Sequence, residues 1–293
     1  MKKDNDGNIK QGYSEMVTCV ITTFKRNLTI LSRAVDSVFK QTYTNIELII
    51  VDDNPYCSKY SREILKYCKQ NSKIKYIKQA GNKGACAARN LGIANAKGKY
   101  IAFLDDDVWM PEKIEEQMNT MRQGDESLAL VYCQGWVKDE KEEVLKEYRP
   151  WPTGPLTMED LLKRDRIGTT SGPLIKLSAL IDVGCFTEGL PARQDYDCWL
   201  RLSEKYIIDG VDTPLFVHYL HKEDQITKDY NKAFCGYRYI CENYADYYRQ
   251  LPHADWYNLR MLIKNGIYAR NLAVIRYIPR YIYGRIYEKL SVK

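Results

Sequence analysis

Between residues 17 and 104, short apolar runs alternate with stretches of helical periodicity. Residues 17–22 are a β-branched run suited to a buried strand. From 27 to 41 the apolar positions Leu28, Leu31, Val35, Val38 and Phe39 share one helical face, and Asn27 stands where an N-cap belongs. A second strand over 46–51 halts at the turn cluster Asp52-Asp53-Asn54-Pro55. A helix over 61–70, a strand over 74–77 and an alanine-rich helix over 84–96 follow. A fourth strand, 100–104, runs into Asp105-Asp106-Asp107. This alternation predicts right-handed βαβ units around a parallel sheet. In such sheets ligands sit beyond the carboxyl ends of the strands. Three of the four strands end in polar groups, Thr22-Thr23, Asp52-Asp53 and the 105–107 run, which should converge on one crevice.

The pattern loosens after Pro111. A helix to 121, a strand over 128–133, a charged exposed stretch over 139–147, a loop over 150–155, a helix over 196–204 and an extended segment over 215–220 are expected. Beyond Thr227 the pattern is helical, with breaks expected at Pro252 and Pro279. Residues 1–15 read as a flexible arm. No internal repeat is visible.

Composition narrows the setting. The 293 residues are 45% hydrophobic, enough to fill a core and offset the entropy of ordering the chain. No run approaches the length of an uncharged apolar span, and the polar opening has no apolar leader. The nine scattered cysteines form no Cys-x-x-Cys pair, which points to a reduced compartment and away from structural zinc. The expected location is cytoplasmic.

The net charge of +6 is concentrated at one end: from Arg260 onward eight basic residues meet one acid, Glu288, and the body before it is close to neutral. From Trp256 apolar residues recur at helical spacing through Ile267, Leu272, Ile275, Ile278, Ile282 and Ile286. Arg276 and Arg280 fall away from this stripe, while Arg285 and Lys289 flank it. Two readings stand side by side. Either the basic, tyrosine-rich tail rests on an anionic membrane surface, or it packs on the body or on a second copy.

Asp105-Asp106-Asp107 is the sharpest local feature. Adjacent carboxylates repel one another unless a cation sits between them, and oxygen ligands suit magnesium or manganese. On an extended segment the outer two side chains share a face. The plain alternative is a solvated acidic turn.

The order of motifs adds weight. Val20-Ile21-Thr22-Thr23-Phe24, then Gln41-Thr42-Tyr43, Ile49-Ile50-Val51-Asp52-Asp53, Gly81-Asn82-Lys83-Gly84 with Ala88-Arg89-Asn90, and Phe103-Leu104-Asp105-Asp106-Asp107 resemble family 2 glycosyltransferases of the GT-A fold. Further on, Gln194-Asp195-Tyr196-Asp197-Cys198-Trp199-Leu200-Arg201 resembles that family's Glu-Asp-Tyr-x-x-Trp-x-Arg segment, with Gln194 in the Glu place. Tyr219-Leu220-His221 with Gln225-Ile226-Thr227 resembles its late histidine element.

The resemblance implies an α/β fold, a mostly parallel Rossmann-like sheet flanked by helices, over 16–227. Its nucleotide-binding half would be 16–110 and its acceptor half 111–227, with 228–293 a C-terminal helical extension. It implies inverting transfer of a sugar from a nucleoside-diphosphate donor, a UDP-sugar, to an acceptor hydroxyl, with Mn2+ or Mg2+, in surface-polysaccharide assembly. Asp52, and in second place Asp53, would read the base, and Thr22 and Phe24 would flank base or ribose. Asn82 and Gly84 would turn a helix start toward the diphosphate. Arg89 would touch the nucleotide, Asp105 the ribose, and Asp107 and His221 the metal, with Asp106 pointing away. Asp195 would be the general base, the plain alternative being a helix N-cap. The loop 168–172 would lie under the donor sugar. Trp109, Trp199, His218 and His253 are expected to pack or sit on the surface. The acceptor would be a saccharide or lipid-linked saccharide, met at the inner face of the membrane through 256–293, with oligomers open and no nucleic-acid partner. Three other readings compete: a metal-dependent nucleotidyltransferase, a nucleic-acid-binding protein using the tail, and a non-catalytic relative.

Overall fold

The computed structural model describes residues 15–139, 141–148, 153–220, 229–251 and 254–291, with side chains to 286. The first half alternates as the pattern requires. It runs β1 (Val17–Thr23), α1 (Leu28–Phe39), β2 (Ile46–Asp52), α2 (Lys59–Lys69), β3 (Ile74–Lys78), α3 (Ala85–Ala94) and β4 (Tyr100–Leu104). Asn27 caps α1 by accepting from the Ile30 amide at 3.0 Å. A two-residue β5 (Val108–Trp109) and α4 (Lys113–Gln123) lead into β6 (Leu128–Lys138), β7 (Val144–Tyr148), α5 (Met158–Lys163), β8 (Leu174–Lys176) and α6 (Leu177–Asp182). Then come α7 (Gln194–Lys205), β9 (Ile207–Tyr219), α8 (Tyr230–Asn243), α9 (Ala245–Gln250), α10 (Trp256–Tyr268), a 3-10 turn (Leu272–Tyr277) and α11 (Ile278–Ser291).

One sheet runs through the body in the order β3-β2-β1-β4-β8-β6-β9-β5, with β7 paired to β6. β3, β2, β1 and β4 are parallel, as expected, and β8 joins β4 antiparallel. β6 and β9 pair in parallel, and β5 closes on β9 antiparallel, with Val108 opposite Val217 and Trp109 opposite Phe216. That last pairing brings the end of β9 beside the acidic run. The exposed stretch expected over 139–147 contains a strand, β7. Its side chains are mostly exposed, so no apolar alternation marked it.

Apolar side chains fill both faces of the sheet. One cluster gathers Val20, Ile49, Phe103 and Trp199, and the other Ile21, Leu48, Leu104 and Trp109. The C-terminal helices form a third cluster around Phe234, Leu259, Leu262 and Tyr277. They are also joined to the body, since Ile240, Tyr244 and Tyr248 belong to the first cluster. Asn258 donates to the Leu162 carbonyl at 2.9 Å and to the Tyr196 hydroxyl at 3.1 Å. Gly236 lets α8 approach closely, because a Cβ there would lie 2.6 Å from the Ala192 carbonyl oxygen. The break expected at Pro279 falls between the 3-10 turn, which ends at Tyr277, and α11, which starts at Ile278. Pro279 occupies the first turn of α11, where a missing N–H costs no helical hydrogen bond. Pro252 lies outside the described residues. All nine cysteines are free, and Cys57, just past β2, is exposed.

Candidate active site

The strand ends converge as the βαβ reading requires, and each carboxylate there has a distinct environment. Asp52, at the end of β2, is fully buried. Its Oδ1 accepts from the Asn54 amide (2.9 Å) and side chain (2.8 Å), and its Oδ2 from Ser61 Oγ (2.5 Å) and the Tyr76 hydroxyl (2.8 Å). Burial pushes this carboxyl up, but the bonds from Ser61, Asn54 and Tyr76 together hold it below its usual range. All four acceptor positions are thus engaged. Asp53 bonds Gln79 Nε2 (2.6 Å) and the amides of Lys83 (2.9 Å) and Gly84 (3.0 Å), three positions of four. Among the described residues, Asp53 thus keeps one acceptor position open, and Asp52 keeps none.

Gly84, at φ +88°, starts α3, and Asn82 is exposed with its Oδ1 accepting from the Gly84 amide at 3.2 Å. Thr22 and Phe24 are half-buried at the end of β1. The Lys25 ammonium lies 5.2 Å from the Phe24 ring centre.

Arg89 projects from α3 and is almost fully buried. It donates through one nitrogen to both oxygens of Asp105, at 2.9 and 3.1 Å. Its Nε is buried without a partner. Asp105 also accepts from the Thr170 hydroxyl (2.9 Å), and its amide donates to Ser171 Oγ (3.2 Å). The 168–172 loop is thereby fastened to the acidic run. Burial pushes Asp105 up, and Arg89 and Thr170 outweigh it, leaving the carboxyl below its usual range. Asp106 turns aside to pair with Arg26. Burial, with Asp105 and Asp107 beside it, leaves Asp106 raised.

Asp107 is buried, and its Oδ2 has no hydrogen-bond partner among the described residues. Its Oδ1 lies 3.0 Å from His218 Nδ1. His218, expected to be an ordinary packed or surface residue, is thus set against the acidic run. Burial pushes its imidazole down, and the Asp107 carboxylate raises it above its usual value. The signal for it lay in strand parity: Phe216 and His218 sit two apart on β9, and Tyr148 meets both edge-on at 5.1 and 5.3 Å. Reading that parity requires the β5–β9 pairing, which is long-range. His221 and residues 225–227 lie outside the described residues, as does His253.

Asp195 is the second residue of α7; the cap position belongs to Arg193, at φ +63°. Its Oδ1 accepts from the Tyr196 amide at 2.8 Å. Burial, reinforced by the negative charge of Asp165, pushes the Asp195 carboxyl up to about 6, against the pull of Arg193 and Arg89. Arg89 thus feels both Asp105 and Asp195. Gln194, in the Glu place, turns back and donates to the Leu190 carbonyl at 2.7 Å. Trp109 and Trp199 are buried packing residues, their indoles donating to the carbonyls of Ser171 (2.8 Å) and Gly168 (3.1 Å).

The chain is similar in sequence and in fold to known proteins. A putative colanic acid biosynthesis glycosyl transferase of Escherichia coli, WcaA, is 31% identical over 226 residues, 73% of this chain and 76% of that protein. An uncharacterized glycosyltransferase of Rickettsia felis is 31% identical over 76% of this chain, which spans only 36% of that longer protein. Among solved structures, S. aureus TarS 1–349 in complex with UDP-GlcNAc superposes with a TM-score of 0.66 at 15% identity, over 92% of this chain and 79% of that one. The fold is the GT-A fold with a C-terminal helical extension. The model described as "Glycosyl transferase family 2" matches residues 18–182, more than half of the chain, and the chain belongs to that family.

Proposed function

We propose that the chain is an inverting glycosyltransferase. It moves a sugar from a UDP-sugar to a hydroxyl of a saccharide or lipid-linked saccharide, in cell-surface polysaccharide assembly. The observation that carries the reading is Arg89, held on Asp105 and within electrostatic reach of Asp195, so that one cation ties the nucleotide end to the base end. UDP-GlcNAc in the TarS complex supports a nucleotide-sugar donor, and the WcaA likeness supports polysaccharide assembly.

Asp53 accepts from the base, with Thr22 and Phe24 beside it. The amides near Asn82 and Gly84 and the start of α3 face the diphosphate. Asp105 takes the ribose hydroxyls, competing with Arg89 for the same oxygens. Asp195 removes the acceptor proton as that oxygen attacks the anomeric carbon opposite the diphosphate, and a single displacement inverts the centre. The residues fit a hard divalent cation, Mn2+ or Mg2+: the buried, unpartnered Oδ2 of Asp107 is a hard oxygen donor at the strand end. When bound, such an ion would neutralise charge on the departing diphosphate. His221 would be its second ligand. Membrane contact through 256–293, at the cytoplasmic face, would bring a lipid-linked acceptor to the site.

The test is a panel of nucleoside-diphosphate sugars with and without Mn2+, read by thermal shift and by release of the nucleotide. One UDP-sugar should stabilise the wild type. Asp107→Ala should lose the metal-dependent part of that shift, and Asp195→Asn should keep binding and lose turnover by about a hundredfold or more. If no nucleotide sugar stabilises the wild type under either condition, the proposal fails.

A further inference from the structure

Of the sixteen exposed large hydrophobic side chains among the described residues, eight lie between residues 267 and 286. Leu272 is 80% exposed, Ile267 and Ile275 61% each, and Ile286 54%. On α11, Ile278, Ile282 and Ile286 are spaced four apart and form one stripe, while Gly284 is buried and Tyr281 packs toward the third cluster. The helix is therefore seated on one side and bare on the other.

The basic residues divide the same way. Arg276 pairs with Glu242, Arg280 with Asp255 at 2.5 Å, and Arg285 lies 4.8 Å from the Trp256 ring centre. These three turn back to the protein, including Arg285, which the helical spacing had put on the stripe's flank. Arg260, Lys264 and Arg270 are exposed, and none has a carboxylate partner among the described residues. Arg260, Lys264 and Ile267 recur at helical spacing on one side of α10, and Leu272 and Ile275 continue directly from Arg270.

We propose that this face, the exposed isoleucines of the 3-10 turn and α11 with the unpaired cations of α10 and Arg270, docks on an anionic lipid surface. It lies in the interface without crossing it, since no described helix is long and apolar enough to span a bilayer. Bare apolar area with unpaired positive charge beside it suits an anionic leaflet, where each part contributes separately. A second copy fits less well, because residues 260–287 carry no acidic side chain that a twofold contact could set against the three cations. A nucleic acid would answer the cations and leave the isoleucines uncovered. This defines the membrane contact of the functional reading, and its test needs no turnover.

The experiment is co-sedimentation of the full chain with phosphatidylcholine vesicles, with and without phosphatidylglycerol, at low and high salt. The wild type should bind the anionic vesicles at least about tenfold better, with the preference shrinking as salt rises. Ile278→Ser with Ile282→Ser and Ile286→Ser should abolish binding to both. Arg260→Gln with Lys264→Gln and Arg270→Gln should keep weak binding and lose the anionic preference. Every variant should keep the wild-type melting temperature and nucleotide-sugar shift, which separates failure here from failure of the transferase reading. Equal partition of wild type and variants overturns the proposal. So does a concentration-dependent dimer that the serine variant abolishes, with no vesicle binding by the wild type.

Discussion

At the scale of single residues the site is a set of carboxylates given different tasks by their partners. Asp52 accepts from four donors, whereas Asp195 has one short backbone bond and a negative neighbour. A carboxyl raised to about 6 is a usable base near neutral pH and a poor one in acid. Turnover should therefore fall on the acid side with an apparent pKa near that value. Asp165→Asn, which removes the neighbouring charge, should move the limb to lower pH, as a kcat–pH profile would show. The sign for stability runs the other way. Because the folded carboxyl is raised, its ionisation opposes folding at neutral pH, a cost absent below the ordinary carboxyl range. Asp195→Asn should raise the melting temperature by a few degrees at pH 7.5 and by nothing at pH 4, so the proposed base role and stability would oppose each other at this position.

At the scale of elements, α8 bears on the segment before Asp195, the proposed base, through a point of close backbone approach. Gly236→Ala would press a methyl group on the Ala192 carbonyl, three residues before Asp195. Overpacking of this kind costs about 1–3 kcal/mol. We expect a lower melting temperature together with a loss of kcat larger than any change in nucleotide-sugar affinity. A melting temperature and kcat both unchanged would show that α7 does not feel α8. The elements themselves were largely legible in the sequence. β1 to β4 and their helices follow from local periodicity, and Asn27 announced the start of α1 by its own chemistry. What stayed hidden depends on pairing between distant strands: β7, whose two faces are both wet, and the β5–β9 bridge that sets His218 on Asp107. The donor counts that separate Asp53 from Asp52 belong to the same class, because Tyr76, Gln79 and Gly84 reach the carboxylates only once the sheet has formed.

At the scale of the whole molecule, the C-terminal region proves to be two things at once. Its inner side completes the core, through Asn258 on Tyr196 and Leu162 and through Leu259 and Leu262 on Phe234, and its outer side is bare. The two tail readings that the spacing left open are therefore compatible, one for each side. A chain ending at residue 255 should lose its single cooperative unfolding transition and precipitate on expression, as calorimetry and solubility would report, because it uncovers Phe234 and Tyr237. Membrane questions are then better put with surface substitutions than with truncation. The cysteines carry one more consequence, a chemical one. Burial raises the Cys19, Cys68, Cys86 and Cys133 thiols to about 11 or 12, so at neutral pH they hold almost no thiolate for an electrophile. Cys57 is exposed, four residues past Asp53 on the loop that leaves β2. A maleimide dye used sparingly would mark the native chain there first, and its emission would follow the proposed nucleotide site as it fills and empties.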